Sequence, residues 1–369
     1  VSEGLAIATA GLRLLRLRLE HFRSYAALTW EPRAGVVVIT GPNGSGKTNV
    51  LEAISLLVPG RGVRGARAGE FVRTGETVWA VHGRFATPEG AMEVATGSAP
   101  EGGERRVFRL DGVAPRAQAA VAERLACVWL TPQMDRLFQE GLGGRRRFLD
   151  RLVYALMPGH AREVAAFEAA MAGRNRLLAE GRMDAAWLAG LEDSMARHAV
   201  AATASRMALV SRLNAAGPAG DFPRALMGLN CAIASRLEAA PAVDVEDWLR
   251  EALRAGRGDD RARGSAGVGA HRADMTLADA ASGLPAGLAS TGQQKALLLG
   301  VVLAHAAVLA SARGFAPLLL LDEPLVHLDA SRRGALLEVV LGLPAQVFMT
   351  GTDASAFVGF SGCEAPLFT

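Results

Sequence analysis

Stretches with a two-residue apolar period alternate along the chain with stretches at helical spacing, and their order outlines a fold. Residues 12–20 interleave leucine with arginine, the pattern of an edge or half-buried strand. Residues 35–40 form a short β-branched run and predict a buried strand. That run leads into Gly41-Pro42-Asn43-Gly44-Ser45-Gly46-Lys47-Thr48, after which Val50, Leu51, Ile54 and Leu57 recur at helical spacing. Residues 78–81 and 106–110 read as strands, the second closed by Asp111-Gly112 in the manner of a hairpin turn. From 145 to about 254 the pattern is helical, with punctuation at Pro158-Gly159, Gly217-Pro218 and Pro241. This predicts four or five helices and no heptad run long enough for an extended coiled coil. Residues 254–269, rich in Gly, Arg, Asp and Ser, read as a flexible connection. After Gly292 a long apolar helix leads to a leucine strand at 318–321, then a helix at 329–341 and a last strand at 346–350.

The arrangement is nested: one α/β domain uses both ends of the chain, 1–125 with 265–369, around a helical insertion at 126–264. A length of 369 residues suits two or three domains. Aromatics are only 5%, so the core must come from Leu, Ala and Val. A net charge of +3 excludes a strongly basic DNA-coating protein, so any nucleic-acid surface must be a local patch. Cys127, Cys231 and Cys363 include no CxxC pair, which argues against a disulfide scaffold or zinc ribbon and suits a reducing compartment. Cys127, in a β-rich run, is read as a core residue. No apolar run of about 18 residues is free of a charge or strong polar break, so no membrane span is expected. Residues 1–10 carry Glu3 and no basic stretch, so no signal peptide is expected either, and the expected location is cytoplasmic.

Residues 41–48 match G-x-x-x-x-G-K-[ST] between a strand and a helix, the order a phosphate site needs. Gly41, Pro42, Asn43, Gly44, Ser45, Gly46 and Asn49 are the candidates to cradle ATP. Lys47 would reach the β- and γ-phosphates, and Thr48 would ligate Mg²⁺. The leucine strand ends in Asp322-Glu323-Pro324, which nominates Asp322 for Mg²⁺ and Glu323 as the base beside the attacking water. Ser290-Thr291-Gly292-Gln293-Gln294-Lys295 opens the long helix 32 positions before Asp322 and makes a second anion site. In this order it resembles the signature of ABC-type ATPases, where the signature of one subunit closes over the nucleotide of another. Ser290, Gly292 and Gln293 are then nucleotide contacts, Asp329 stands at the D-loop and Thr350 at the switch position. The chain holds two lysines, Lys47 and Lys295, against 38 arginines, and both fall inside these motifs.

More specifically, the chain resembles the RecF family of recombination-repair ATPases. Leu19-Glu20-His21-Phe22-Arg23-Ser24-Tyr25 is similar to that family's opening motif. So are 46–54 to Gly-Lys-Thr-Asn-Leu-x-Glu-Ala-Ile, 145–150 to Arg-Arg-x-Phe-Leu-Asp, 269–274 to Gly-Pro-His-Arg-x-Asp and 290–295 to Ser-x-Gly-Gln-Gln-Arg. The departures are Ala270 for Pro, Asp322-Glu323-Pro324 for Asp-Asp-Val, and Gly62-Val63-Arg64 for Ser-(His/Phe)-Arg. Pro132-Gln133-Met134 stands for Pro-Glu-Asp, with Gln133 a candidate γ-phosphate sensor. The resemblance implies an α/β fold: a P-loop ABC-type ATPase head with a mixed or parallel sheet, an antiparallel β subdomain and an inserted helical arm. It implies a weak, DNA-stimulated, Mg²⁺-dependent ATPase that dimerises with ATP on duplex, gapped or junction DNA. RecO and RecR are the implied partners in recombinase loading and the SOS response, with no membrane involved. Arg64 is placed by it near the nucleotide, and Arg61, Arg64, Arg67 and Arg73 are the favoured DNA contacts. Arg145 to Arg147 and the arginines of 254–263 are further clusters, and each cluster reads equally as a solvated charged face. The alternative is a transporter-type ATPase subunit serving a membrane partner, supported by Asp-Glu-Pro but opposed by the helical insertion and the 242-residue spacing from Thr48 to Ser290; an SMC-like structural clamp is a third class, opposed by the lack of a long coiled coil.

Overall fold

In the computed structural model, which describes residues 11–99, 105–181, 184–217, 220, 222–357 and 363–364, the leucine–arginine alternation becomes β1 (Arg13–Phe22). Leu14, Leu17, Leu19 and Phe22 are buried while Arg13, Arg16 and Arg18 face solvent. A register shift between Leu14 and Arg16 keeps Leu14 and Leu17 on one face despite their odd spacing. β2 (Tyr25–Trp30) returns antiparallel, and β3 (Val36–Thr40) is buried at every position before the glycine loop and α1 (Lys47–Leu56). The region 78–113 holds three strands where the pattern singles out two: β4 (Ala80–Thr87), β5 (Gly90–Ser98) and β6 (Arg106–Leu110). After β6, Leu110 and Val113 exchange both backbone hydrogen bonds, and Asp111 and Gly112 take φ of 50° and 80°, the expected tight turn. α2 (Ala119–Arg124) and β7 (Cys127–Leu130) follow, with Cys127 buried.

Next come α3 (Leu142–Leu156), α4 (His160–Ala179), α5 (Ala185–Ala215), β8 (Ala225–Asn230), α6 (Ala232–Leu237), α7 (Ala242–Ala255), α8 (Arg257–Arg263) and β9 (Asp274–Asp279). The remaining elements are α9 (Thr291–Arg313), β10 (Leu318–Leu321), α10 (Ala330–Gly342), β11 (Val347–Gly351) and β12 (Cys363–Glu364).

Two compact units result, residues 1–135 with 218–223 and 290–369, and residues 136–217 with 224–289. The first contains a parallel sheet in the order β12-β3-β11-β10-β7 and an antiparallel sheet in the order β2-β1-β4-β5-β6. β3, β7, β10 and β11 are buried throughout, as parallel strands covered on both faces are. Buried Gln346 joins the sheets: its Oε1 accepts from Leu14 N–H at 2.7 Å, and its Nε2 donates to Leu14 O and Ala34 O at 3.3 Å. The unit boundaries fall later than the expected 126 and 264 because β7 pairs with β10, whereas β9 pairs with β8. By length and composition α9 could cross a membrane, an outcome the break count did not predict. It is the one such helix among the described residues, and most of its apolar length is buried inside the protein.

The second unit packs Phe167, Met195, Ala199, Leu249 and Leu253 into one core. Beside them, fully buried Arg174 donates to Glu192 (2.9 Å), Asp260 (2.8 Å) and Leu253 O (2.6 Å). Asp260 lies in the stretch expected to be a flexible connection. That stretch instead contains α8, because buried Asp260 also accepts from Arg263 and from Gly267 N–H. Removing Arg174 leaves carboxylates buried with fewer donors, so Arg174→Met is expected to cost about 3 kcal/mol of unfolding free energy in a urea titration. The RecF-like motifs at 145–150 and 269–274 meet in this unit. Arg145 chelates Asp274 (2.6 and 3.1 Å), Arg146 donates to His271 O, and Arg206 chelates Asp150 (2.7 and 2.9 Å).

Candidate active site

The phosphate loop leaves the carboxyl end of β3, where crevices form in parallel sheets. Gly44 and Gly46 take φ of 84° and 94°. At Gly46 a side chain is excluded doubly, since an added Cβ would also lie 2.6 Å from Tyr25 Oη. α1 begins with no side-chain cap and no acidic residue in its first turn, so its leading N–H groups are left for an anion. Buried Lys47 curls over the loop, and its Nζ donates to Gly41 O and Pro42 O, both at 2.8 Å. Ser45 Oγ is buried and has no hydrogen-bond partner among the described residues, a polar atom suited to a phosphate oxygen.

Thr48, one residue into α1, places Oγ1 at 3.1 Å from each Asp322 carboxylate oxygen. Thr350, at the end of β11, donates to Asp322 at 2.7 Å and accepts the Glu323 N–H at 2.9 Å. One hydroxyl thus ties both acids. A carboxylate beside a hydroxyl is the oxygen donor set that Mg²⁺ accepts when substrate phosphates complete its shell. Among the described residues no group of three or more His, Cys, Asp and Glu is placed to hold a metal. Glu323 has φ of 49° and lines a cleft with Asn43, Gly44, Gly46, Lys47, Thr48, Asn49 and Arg64. The structure therefore brings together most of the expected phosphate-loop residues with Glu323, and Thr48 with Asp322 and Thr350.

Arg23, Tyr25, Glu52 and Asp135 were not singled out for this site by sequence. Fully buried Glu52 is chelated by Arg23 (2.8 and 2.8 Å) and accepts from Arg64 at 2.9 Å, while Arg64 also donates to Asn49 at 2.7 Å. Tyr25 Oη donates to Gly46 O at 3.2 Å, and burial pushes its hydroxyl up to about 12. The opening motif is thus bonded to the phosphate loop. Lys295, 1% exposed, donates to Glu323 O at 2.9 Å and lies 3.6 Å from Asp135. Burial lowers the Lys295 pKa; it raises that of Asp135, against the opposing pull of Lys295 and His327. The lysine count pointed to Lys295; nothing in the sequence pointed to Asp135.

The profile of the RecF/RecN/SMC N-terminal domain matches residues 13–360. The chain is 45% identical over 359 residues to the DNA replication and repair protein RecF of Mesorhizobium japonicum, covering 96% of this chain and 95% of that one. It is also 45% identical to RecF of Agrobacterium fabrum, covering 95% and 94%. The chain belongs to the RecF family. The motif-based resemblance to these DNA replication and repair proteins holds across nearly the whole length. The fold is similar to that of a recombination mediator protein RecF solved in its ATPrS form, with TM-score 0.84, 22% identity and coverage of 98% and 97%. The RecF-ATP form gives 0.84, 23%, and 97% and 96%.

Other RecF-like candidates lie outside the cleft of their own chain. Ser290 and Gln293 bond each other in a capping box at the start of α9. Gly292 is required there, since a Cβ would lie 2.6 Å from His327 O. Asp329 caps α10 by accepting the Arg332 N–H at 2.9 Å. Gln133 is exposed and does not line the cleft. Arg61 and Arg67 are exposed and form no ion pair among the described residues, Arg73 lies 4.0 Å from Glu76, and Arg64 is engaged at the cleft. Arg145, Arg257 and Arg263, from the other two clusters, are held by Asp274, Glu192 and Asp260.

Proposed function

We propose that this chain is an ATP-dependent DNA-binding protein of recombinational repair at gapped DNA. ATP binding draws two copies together head to tail on duplex or junction DNA, and slow, DNA-stimulated hydrolysis releases them. The observation that carries the reading is the convergence of Lys47, Thr48, Asp322, Glu323 and Thr350 in a RecF-family chain.

The loop N–H groups, Ser45 and Lys47 bind the phosphates, and Arg64 leaves Asn49 and Glu52 to join them. Thr48 and Asp322 would hold Mg²⁺, which would supply positive charge to offset that of the phosphates. Glu323 orients the attacking water and takes its proton. Gln133, exposed in this structure, reaches the γ-phosphate on closure. Ser290, Gly292, Gln293 and Asp329 serve the nucleotide of the second copy, a role supported by their position outside the cleft of their own chain. RecR and RecO are the proposed partners in loading recombinase and supporting the SOS response, and the proposed location is the cytoplasm. A transporter-type role with a membrane partner is not favoured, because RecF relatives match about 95% of the chain.

The test is binding to gapped duplex, blunt duplex and single strand with ATP, with ADP and without nucleotide. Duplex or gap binding that requires ATP is expected; binding indifferent to nucleotide contradicts the reading. Arg61, Arg67 and Arg73 are the proposed DNA contacts, with Arg64 assigned to the nucleotide. Reversing the charge of Arg61 and Arg67, which are not engaged at the cleft, is expected to weaken duplex binding while sparing ATP turnover without DNA. The slope of log affinity against log salt should flatten by about 0.9 per lost phosphate contact. An unchanged slope moves the DNA surface elsewhere.

A further inference from the structure

Glu323 occupies an unfavourable backbone conformation. Its φ of 49° is left-handed, which costs a non-glycine residue about 1–2 kcal/mol. The residue after it is Pro324, and a following proline biases the backbone toward extended conformations. Such a residue holds its geometry only where neighbours over-determine it. Two contacts grip the backbone of Glu323: the Thr350 hydroxyl accepts its N–H at 2.9 Å, and Lys295 Nζ donates to its carbonyl at 2.9 Å. Lys295 is buried too deeply to be a solvated surface charge; it forms an ion pair with the Asp135 carboxylate at 3.6 Å and also lies in the field of the Asp322 and Glu323 carboxylates. A compact ammonium satisfies one carbonyl and one carboxylate where a forked guanidinium must place five donors. In a chain with 38 arginines, lysine at this point has a steric reason.

We propose that Lys295 is a positioning residue for Glu323: with Thr350 it clamps the left-handed backbone that presents the carboxylate to the phosphate cleft, and through Asp135 it ties that clamp to the 132–136 turn. The proposal rests on the reading of Glu323 as the base of ATP hydrolysis. Lys295 touches no nucleotide in this assignment; its effect passes through the backbone of Glu323, so it governs turnover and not ATP affinity.

The experiment uses the full chain with Mg²⁺ and compares wild type, Lys295→Met, Asp135→Asn, Glu323→Gln and the Lys295→Met/Glu323→Gln double variant. ATP affinity is read by titration with a fluorescent ATP analogue, and turnover by phosphate release. Lys295→Met is expected to lower kcat about tenfold, as misplacement of a catalytic group does. Its affinity for the analogue should stay within about threefold of wild type, because the clamp touches no nucleotide. In the double variant turnover should fall no further than in Glu323→Gln alone, because both changes act on one group. Asp135→Asn keeps the packing volume and the ammonium, so it decides the matter if Lys295→Met does not fold; a smaller fall in kcat at unchanged affinity is expected. Wild-type turnover in both Lys295→Met and Asp135→Asn overturns the proposal, as does equal loss of affinity and turnover, or a double variant whose defects multiply. If Glu323→Gln abolishes hydrolysis while Lys295→Met and Asp135→Asn do not impair it, the base assignment stands and the clamp alone fails. A wild type that does not hydrolyse ATP overturns both.

Discussion

Glu323→Gln is expected to lower steady-state ATP turnover about 10²–10³-fold while leaving ATP and DNA binding intact. The amide fills the same volume, so the packing around the cleft does not change. The backbone contacts to Thr350 and Lys295 involve main-chain atoms and survive the substitution. What is lost is an oxygen able to take a proton from water. Thr48, Asp322 and Lys47, the proposed ligands of ATP and Mg²⁺, are left unchanged, so the ATP-loaded state should accumulate and DNA should dissociate more slowly than from wild type. Phosphate release and DNA dissociation in ATP are the two readings. Undiminished hydrolysis would remove Glu323 as the base.

The site was legible in the sequence to the extent that its parts are local. A β-branched strand, a glycine loop and a helix follow one another within residues 36–56, so the place of Lys47 and Thr48 at the loop–helix junction could be read from spacing alone. The four leucines before Asp322 likewise announce a buried parallel strand. Parts made by distant contacts were hidden. β8 has the composition Ala-Leu-Met-Gly-Leu-Asn, which favours no strand, and it exists because it pairs with β9 some fifty residues later. α8 reads as a polar linker, and only the buried Asp260 and its arginine partners make it a helix. Asp135 sits two residues from Gln133, the position that drew attention as a sensor. Its partner Lys295 is 160 positions away, and no periodicity links the two. Arg64 was read both as a nucleotide contact and as a DNA contact. The choice depends on buried Glu52, whose charge is invisible as a core feature in a helix that otherwise looks amphipathic.

Lys47→Ala is expected to abolish ATP-dependent dimerisation, with ATP affinity lowered at least about 100-fold. The magnitude follows from the chemistry of one buried ammonium. It now satisfies two loop carbonyls, and on binding it would exchange them for phosphate oxygens. Charge-assisted hydrogen bonds contribute roughly 1.5–3 kcal/mol each, so losing two removes at least about 3 kcal/mol of binding, and every 1.4 kcal/mol is a factor of ten. Arginine is the other cation available, but its fork does not fit inside a loop closed at 2.8 Å on two carbonyls. The fold should tolerate the change. Lys47 opens α1, where alanine is at least as good a helix former, and the glycine turns before it do not depend on the side chain. Thermal unfolding without nucleotide should therefore shift by only a few degrees, while sedimentation velocity with ATP should show monomer where wild type shows dimer. A normal ATP-dependent dimer in this variant would contradict phosphate binding by Lys47 as the source of closure. A variant that dimerises poorly both with and without ATP would instead place the defect in the fold. The two readings together separate loss of the ligand's grip from loss of the loop itself.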